Sequence, residues 1–118
     1  MSLKALDPRQ CQKLVSEGAL LVDVREPGEY AHMNIPGAIN APLSRPAAIR
    51  DAVAGAKTVI YHCKSGGRTT MNGSGLAGLV QGTAYQMGGG IDAWAMQGLP
   101  TAGQAGGGFG GSRLFLVA

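Results

Sequence analysis

Thr58-Val59-Ile60-Tyr61-His62-Cys63-Lys64-Ser65-Gly66-Gly67-Arg68-Thr69 is the stretch from which the fold can be read. Its first half is a short run of β-branched and aromatic residues with no surface face. A strand buried on both sides, as in a parallel sheet, reads this way. The run stops at a cysteine, a glycine-bearing loop follows, and a helix is expected from about Gly67 to Val80. Working outward, Ala19-Leu20-Leu21-Val22-Asp23-Val24 is a second buried strand. Ile35-Pro36-Gly37-Ala38-Ile39-Asn40 reads as a turn leading into a short strand, and Ala84-Tyr85-Gln86-Met87 as a further one. Between them lie helical patterns. Asp7-Pro8 opens one as N-cap and first helical residue, with Cys11, Leu14 and Val15 on its apolar face. Glu26-Pro27-Gly28-Glu29 is a turn or helix start, Ser44 to Ala54 suits a helix, and Gly88-Gly89-Gly90 leads into another through Trp94. Alternating strands and helices joined by short turns predict an α/β domain with a mainly parallel sheet.

The 118 residues allow one domain, expected over residues 1–100, followed by a Gly-rich tail over 101–118 with a short apolar end, Leu114 to Ala118. The ten Lys and Arg are scattered rather than striped, and aromatics make up only 5% of the chain. That argues against a nucleic-acid partner. No apolar run reaches membrane-spanning length, and the N-terminus lacks the apolar core of a signal peptide. Two distant cysteines, Cys11 and Cys63, offer neither a disulfide framework nor a metal spacing. A reducing cytoplasm is the expected compartment.

The chemistry concentrates after Cys63. A strand–loop–helix turn aims successive N–H groups and the positive end of a helix at one point above the strand tip. A thiolate placed there is stabilised, which lowers its pKa and raises its reactivity. Lys64 and Arg68 add positive charge, and Arg68 can hold a planar oxyanion at two points. Cys63 is therefore the expected nucleophile. Lys64, Ser65, Gly66, Gly67, Arg68 and Thr69 form the expected binding loop. A buried inert cysteine is the bland alternative, but Lys, Ser, Gly and Arg are poor core neighbours.

Leu21-Val22-Asp23-Val24-Arg25-Glu26-Pro27-Gly28-Glu29-Tyr30 resembles the first signature of rhodanese domains, and Ile35 to Asn40 continues it in order. Cys63 to Thr69 resembles the family's active-site loop. Gly88 to Trp94 and Gly98-Leu99-Pro100 resemble its closing motif. The resemblance covers roughly Asp7 to Pro100. It implies a rhodanese fold, a parallel sheet of about five strands flanked by helices, with no metal or organic cofactor. It also implies a sulfurtransferase in which Cys63 takes the outer sulfur of a small donor, thiosulfate or a persulfide, and passes it to a thiol or cyanide. Covalent catalysis of this kind divides one transfer into two steps. A non-catalytic binding or regulatory module is the second reading, which the presence of Cys63 disfavours. A cysteine phosphatase or arsenate reductase is the third. The phosphatase pattern has five residues between Cys and Arg, and here only four intervene. A shorter ring of amides suits one sulfur atom better than a tetrahedral phosphate.

Supporting roles are expected for Asp23, as a brace, and Arg25, at the pocket mouth or in a surface ion pair. Both end the second strand, and separate partners are expected for them. His62 should point to the opposite sheet face from Cys63 and pack there. His32 is expected in a loop near the pocket, where Asn34 replaces the histidine that family members often carry before the Ile-Pro-Gly turn. Thr69 and Thr70 are expected to cap N–H groups behind the loop. Trp94 should pack beside the loop, and Cys11 should be structural. The helix after the loop carries Gly73, Gly75 and Gly78, each costing about 1 kcal/mol relative to Ala.

Overall fold

The computed structural model describes residues 2–103. Five strands form one all-parallel sheet in the order β1-β5-β4-β2-β3. They are β1 (Lys4–Leu6), β2 (Leu20–Asp23), β3 (Ile39–Asn40), β4 (Thr58–His62) and β5 (Thr83–Met87). The intervening helices are α1 (Pro8–Ser16), α2 (Pro27–His32), α3 (Pro46–Val53), α4 (Gly67–Met71), α5 (Gly73–Gly78) and α6 (Gly90–Met96).

The apolar runs are apolar because both sheet faces are covered. On one face Val22, Val24, Val59, Tyr61 and Cys63 pack with Ile49, Val53, Leu76 and Val80 of α3, α5 and the turn after it. On the other, Leu21, Ile60 and Met87 pack with Cys11, Ile91 and Trp94 of α1 and α6. β4 alternates between the two, so Cys63 belongs to the first face and His62 points to the second. Trp94 is buried there, and its indole N–H donates to the Pro100 carbonyl at 2.7 Å.

Two elements differ from the sequence expectation. The edge strand β1 was not expected, because three residues carry too little pattern: only Leu3 and Leu6 in this stretch are buried, while Lys4 and Ala5 are exposed. The helix expected over 67–80 breaks at Asn72, whose backbone leaves the helical region at φ −104°, ψ 14°. The Asn72 amide donates to the Arg68 carbonyl at 2.8 Å, and the glycines after it supply little helix propensity to oppose the break.

Past Pro100 the chain turns back to an antiparallel bridge, in which Asn34 and Ala102 exchange N–H···O bonds of 2.8 Å. Most of the Gly-rich tail, with Leu114 to Ala118, lies outside the described residues. Among the described residues no helix is long and apolar enough to cross a membrane.

Candidate active site

Cys63 follows directly on the last residue of β4, between the carboxyl ends of β2 and β5, where open α/β sheets place their ligands. The loop is held from beneath by α6. The Ile91 N–H donates to the Cys63 carbonyl and the Asp92 N–H to the Lys64 carbonyl, both at 3.0 Å. With these carbonyls turned down, the following N–H groups are free to turn up toward the sulfur. Gly66, at φ 99°, makes the left-handed bend that lets its N–H donate to Cys63 Sγ at 3.2 Å. Gly90 lets α6 approach this closely. A Cβ there would lie 2.5 Å from the Cys63 carbonyl oxygen, and its φ of 60° is already left-handed.

Cys63 is only 1% exposed. Burial alone would push its pKa up. It is opposed by the Thr69 N–H, the Thr69 hydroxyl and the N–H groups of Gly66 and Arg68, and the net shift is downward. We assign most of this to the amides. The single hydroxyl proton of Thr69 is drawn to Gln86 Oε1 at 2.6 Å, whereas the hydroxyl oxygen stands 3.7 Å from the sulfur.

Gln86 is the residue that the sequence reading passed over. Buried on β5, it accepts from Thr69 and from the Thr70 hydroxyl (3.2 Å), and its amide donates to the Leu3 carbonyl at 3.1 Å. The two threonine hydroxyls thus tie α4 to β5 rather than capping N–H groups as expected. A polar residue within the apolar run Ala84 to Met87 was the available signal.

The positive charges of the loop are not free. Arg68 donates through both terminal nitrogens to the Glu29 carboxylate of α2, at 2.8 Å each, so its two-point grip is taken up by a side chain. This pair holds the Glu29 carboxyl down at about 2, chiefly through the Arg68 hydrogen bonds. Lys64 Nζ donates to both oxygens of Asp92 at 3.2 and 3.0 Å. Ser65, Gly66 and Gly67 line an open groove on the β5 side of the loop, together with Met71 and Gly89.

Asp23 and Arg25 lie close to each other, contrary to the expectation of separate partners. Residues two apart lie on the same side of an extended chain. Arg25 Nη2 donates to Asp23 Oδ2 at 2.7 Å and to the Met33 carbonyl at 2.7 Å, and its Nε to Asp23 Oδ1 at 3.0 Å. The Arg25 main-chain N–H donates to the same Asp23 oxygen at 2.9 Å. Arg25 is 4% exposed, so it lines no pocket mouth; it braces the turn from β2 to the Met33 segment. His62 Nδ1 lies 3.2 Å from the Cys63 carbonyl oxygen, which fixes that nitrogen as the N–H and leaves Nε2 without a hydrogen-bond partner, 3.7 Å from Asp23 Oδ2. Burial lowers the His62 pKa more than Asp23 raises it. His32 ends α2 on the exposed surface, and Cys11 is fully buried in the second core. Among the described residues no cluster of three or more His, Cys, Asp or Glu side chains is arranged to hold a metal ion.

The family model for the rhodanese-like domain matches residues 7–97, spanning every element from α1 to α6. The chain belongs to the rhodanese-like domain family. A sulfurtransferase of Allochromatium vinosum is 34% identical over 85 residues, covering 72% of this chain and 79% of that protein. The thiosulfate sulfurtransferase GlpE of Pseudomonas entomophila is 33% identical over 92 residues, covering 77% and 84%. The crystal structure of a thiosulfate sulfurtransferase from Pseudomonas aeruginosa superposes with a TM-score of 0.77 at 23% identity, covering 94% of this chain and 21% of that one. The chain also spans 53% of a Synechocystis relative that is 34% identical. This rhodanese-like domain thus has relatives named for sulfur transfer, and its five-stranded parallel sheet is the fold of the Pseudomonas aeruginosa structure.

Proposed function

We propose that this rhodanese-like domain moves sulfane sulfur, one atom at a time, through a persulfide on Cys63. The observation that carries the reading is the sulfur itself. It is buried, yet its pKa is lowered, because loop amides converge on it. Cys63 thiolate attacks the outer sulfur of a donor, thiosulfate or a persulfide. A new S–S bond forms, the donor's S–S bond breaks, and sulfite or a thiolate leaves with the electron pair. An acceptor thiolate or cyanide then attacks the outer sulfur and releases Cys63 thiolate. Lys64, Ser65, Gly66, Gly67, Arg68 and Thr69 form the wall around the transferred sulfur, and their N–H groups hold its charge in both steps. Asp23 and Arg25 act as a brace. Four residues between Cys63 and Arg68, and an arginine already paired with Glu29, favour this over cleavage of a phosphate ester.

The test is sulfur loading read by intact mass. Incubation with a panel of donors should add one sulfur atom, removable by cyanide or reductant, and Cys63→Ser should take none. No loading from thiosulfate or any persulfide would overturn the reading in favour of a binding module.

A further inference from the structure

Resting on that reading, we infer that the sulfur donor is the persulfide of an uncharged small thiol, and that Asp92 and Glu29 select against anionic donors such as thiosulfate. Anion recognition at a rim is strongest where a free cation can pair with the anion. Here the loop's two cations face two carboxylates at bonding distance, Arg68 against Glu29 and Lys64 against Asp92, so the rim carries no net charge. The third cation of the region, Arg25, is buried against Asp23. A thiosulfate dianion would have to bring its sulfonate to this neutral rim while its outer sulfur reaches a cysteine that is 1% exposed.

The space beside the loop tells the same story. The open groove of about 560 Å³ against Ser65, Gly66 and Gly67 is lined also by Ala5, Thr70, Met71 and Gln86, and no charged side chain lines it. Met71 stands 86% exposed at its edge. Such a wall of glycine backbone, methyl, thioether and uncharged hydroxyl and amide groups suits a short, neutral substituent attached to a terminal sulfur. The step balances with no outside oxidant. Cys63 thiolate bonds to the outer sulfur of R–S–S–H, the donor S–S bond breaks, and R–S⁻ leaves, with the proton staying on the transferred sulfur.

Two donors with the same reacting bond and different charge make the test: the persulfides of 2-mercaptoethanol and of 2-mercaptoethanesulfonate. Single-turnover loading of Cys63 is followed by intact mass at low salt. The hydroxyethyl donor, which carries one negative charge fewer, should load about tenfold faster, as expected for one repelled or unmatched charge at a rim. Asp92→Asn, an exposed change that frees Lys64, should speed the sulfonate donor and thiosulfate severalfold and leave the hydroxyethyl donor within twofold. Added salt should erase that gain. Equal or faster loading by the sulfonate donor in the parent protein, or no response of either anion to Asp92→Asn, overturns the inference while leaving sulfur transfer intact. If neither persulfide loads Cys63 although iodoacetamide alkylates it, the sulfur-transfer reading itself fails, and this inference with it.

Discussion

The chain holds two buried cysteines that burial alone would make alike. Cys11 is fully enclosed in α1, and Cys63 at the end of β4 is 1% exposed. Yet Cys11 is pushed up to about 12 by burial and by the nearby Asp7 carboxylate, while Cys63 is brought below its ordinary value. The sulfur of Cys11 has one polar neighbour, the Leu6 carbonyl at 3.8 Å, which can only accept. The sulfur of Cys63 meets N–H donors. Desolvation penalises a thiolate at both positions, and the sign of the net shift is set by which end of the peptide dipole faces the sulfur. A strand that ends in a glycine loop turns its N–H groups toward the cysteine, and a helix interior has none to spare.

The largest test of that contrast is to exchange each sulfur for oxygen. Cys63→Ser should abolish sulfur loading and rapid alkylation at neutral pH. Cys11→Ser should keep loading within twofold and lose about 1–2 kcal/mol in urea unfolding, the cost of burying a hydroxyl in an apolar site. Loading that survives Cys63→Ser, or vanishes in Cys11→Ser with the fold intact, would break the comparison.

Next in size is Gly90→Ala. The added methyl meets the Cys63 carbonyl in a left-handed conformation, so α6 must withdraw from the loop. A loss of about 2–3 kcal/mol is expected. The pH midpoint for alkylation of Cys63 should rise in the same variant, since the amides lose their alignment. An unchanged midpoint would mean that α6 supports the fold without orienting the loop.

The pH dependence of stability separates the two thiols by sign. A raised folded pKa stabilises below the unfolded value and is lost as pH climbs. Cys11 therefore weakens the fold between about 9 and about 12, and Tyr61, also raised to about 12 by burial, adds to the same limb. Cys63 works the other way. Its lowered pKa contributes stability above the unfolded thiol value, and that contribution is lost as pH falls through the folded one. Cys11→Ala should make the alkaline limb shallower by up to one proton in the stability–pH slope. A limb of unchanged slope would mean that Cys11 ionises as freely folded as unfolded.

What could be read from the sequence follows the same division between local and assembled features. The run Thr58 to Thr69 is contiguous, so its strand, loop and cysteine were legible, as was the opposed orientation of His62. The partners that tune the loop come from other elements. Glu29 arrives on α2, Gln86 on β5 and Asp92 on α6, each by a fold-level approach that no local spacing encodes. Both Lys64 and Arg68 thus read as free cations in the sequence and are paired in the fold. The Asp23–Arg25 pair was legible in principle, because a two-residue period places both on one side. Strand β1 and the break at Asn72 were not: the first is too short to show a period, and the second needs two weak helix signals to be ranked against packing.

The smallest expected effect concerns the cation behind Cys63. Glu29 is held at about 2 by Arg68, and its side chain is 35% exposed, so solvent screens much of the attraction. A contribution of no more than about 1 kcal/mol follows for a pair of this exposure. The sign is that of a lowered carboxyl: full stability above the unfolded value near 4.5, lost as pH falls through about 2. Glu29→Gln should therefore lie below the parent protein in urea stability above that range and converge with it in acid. The same change leaves Arg68 in place with its charge unpaired, so Cys63 alkylation should begin at slightly lower pH, because a freed cation beside a thiolate favours it. Alkylation moving to higher pH instead would show that Glu29 serves the sulfur chiefly by holding α4 in position. The contrast between the two cysteines would then rest on the loop's amides alone.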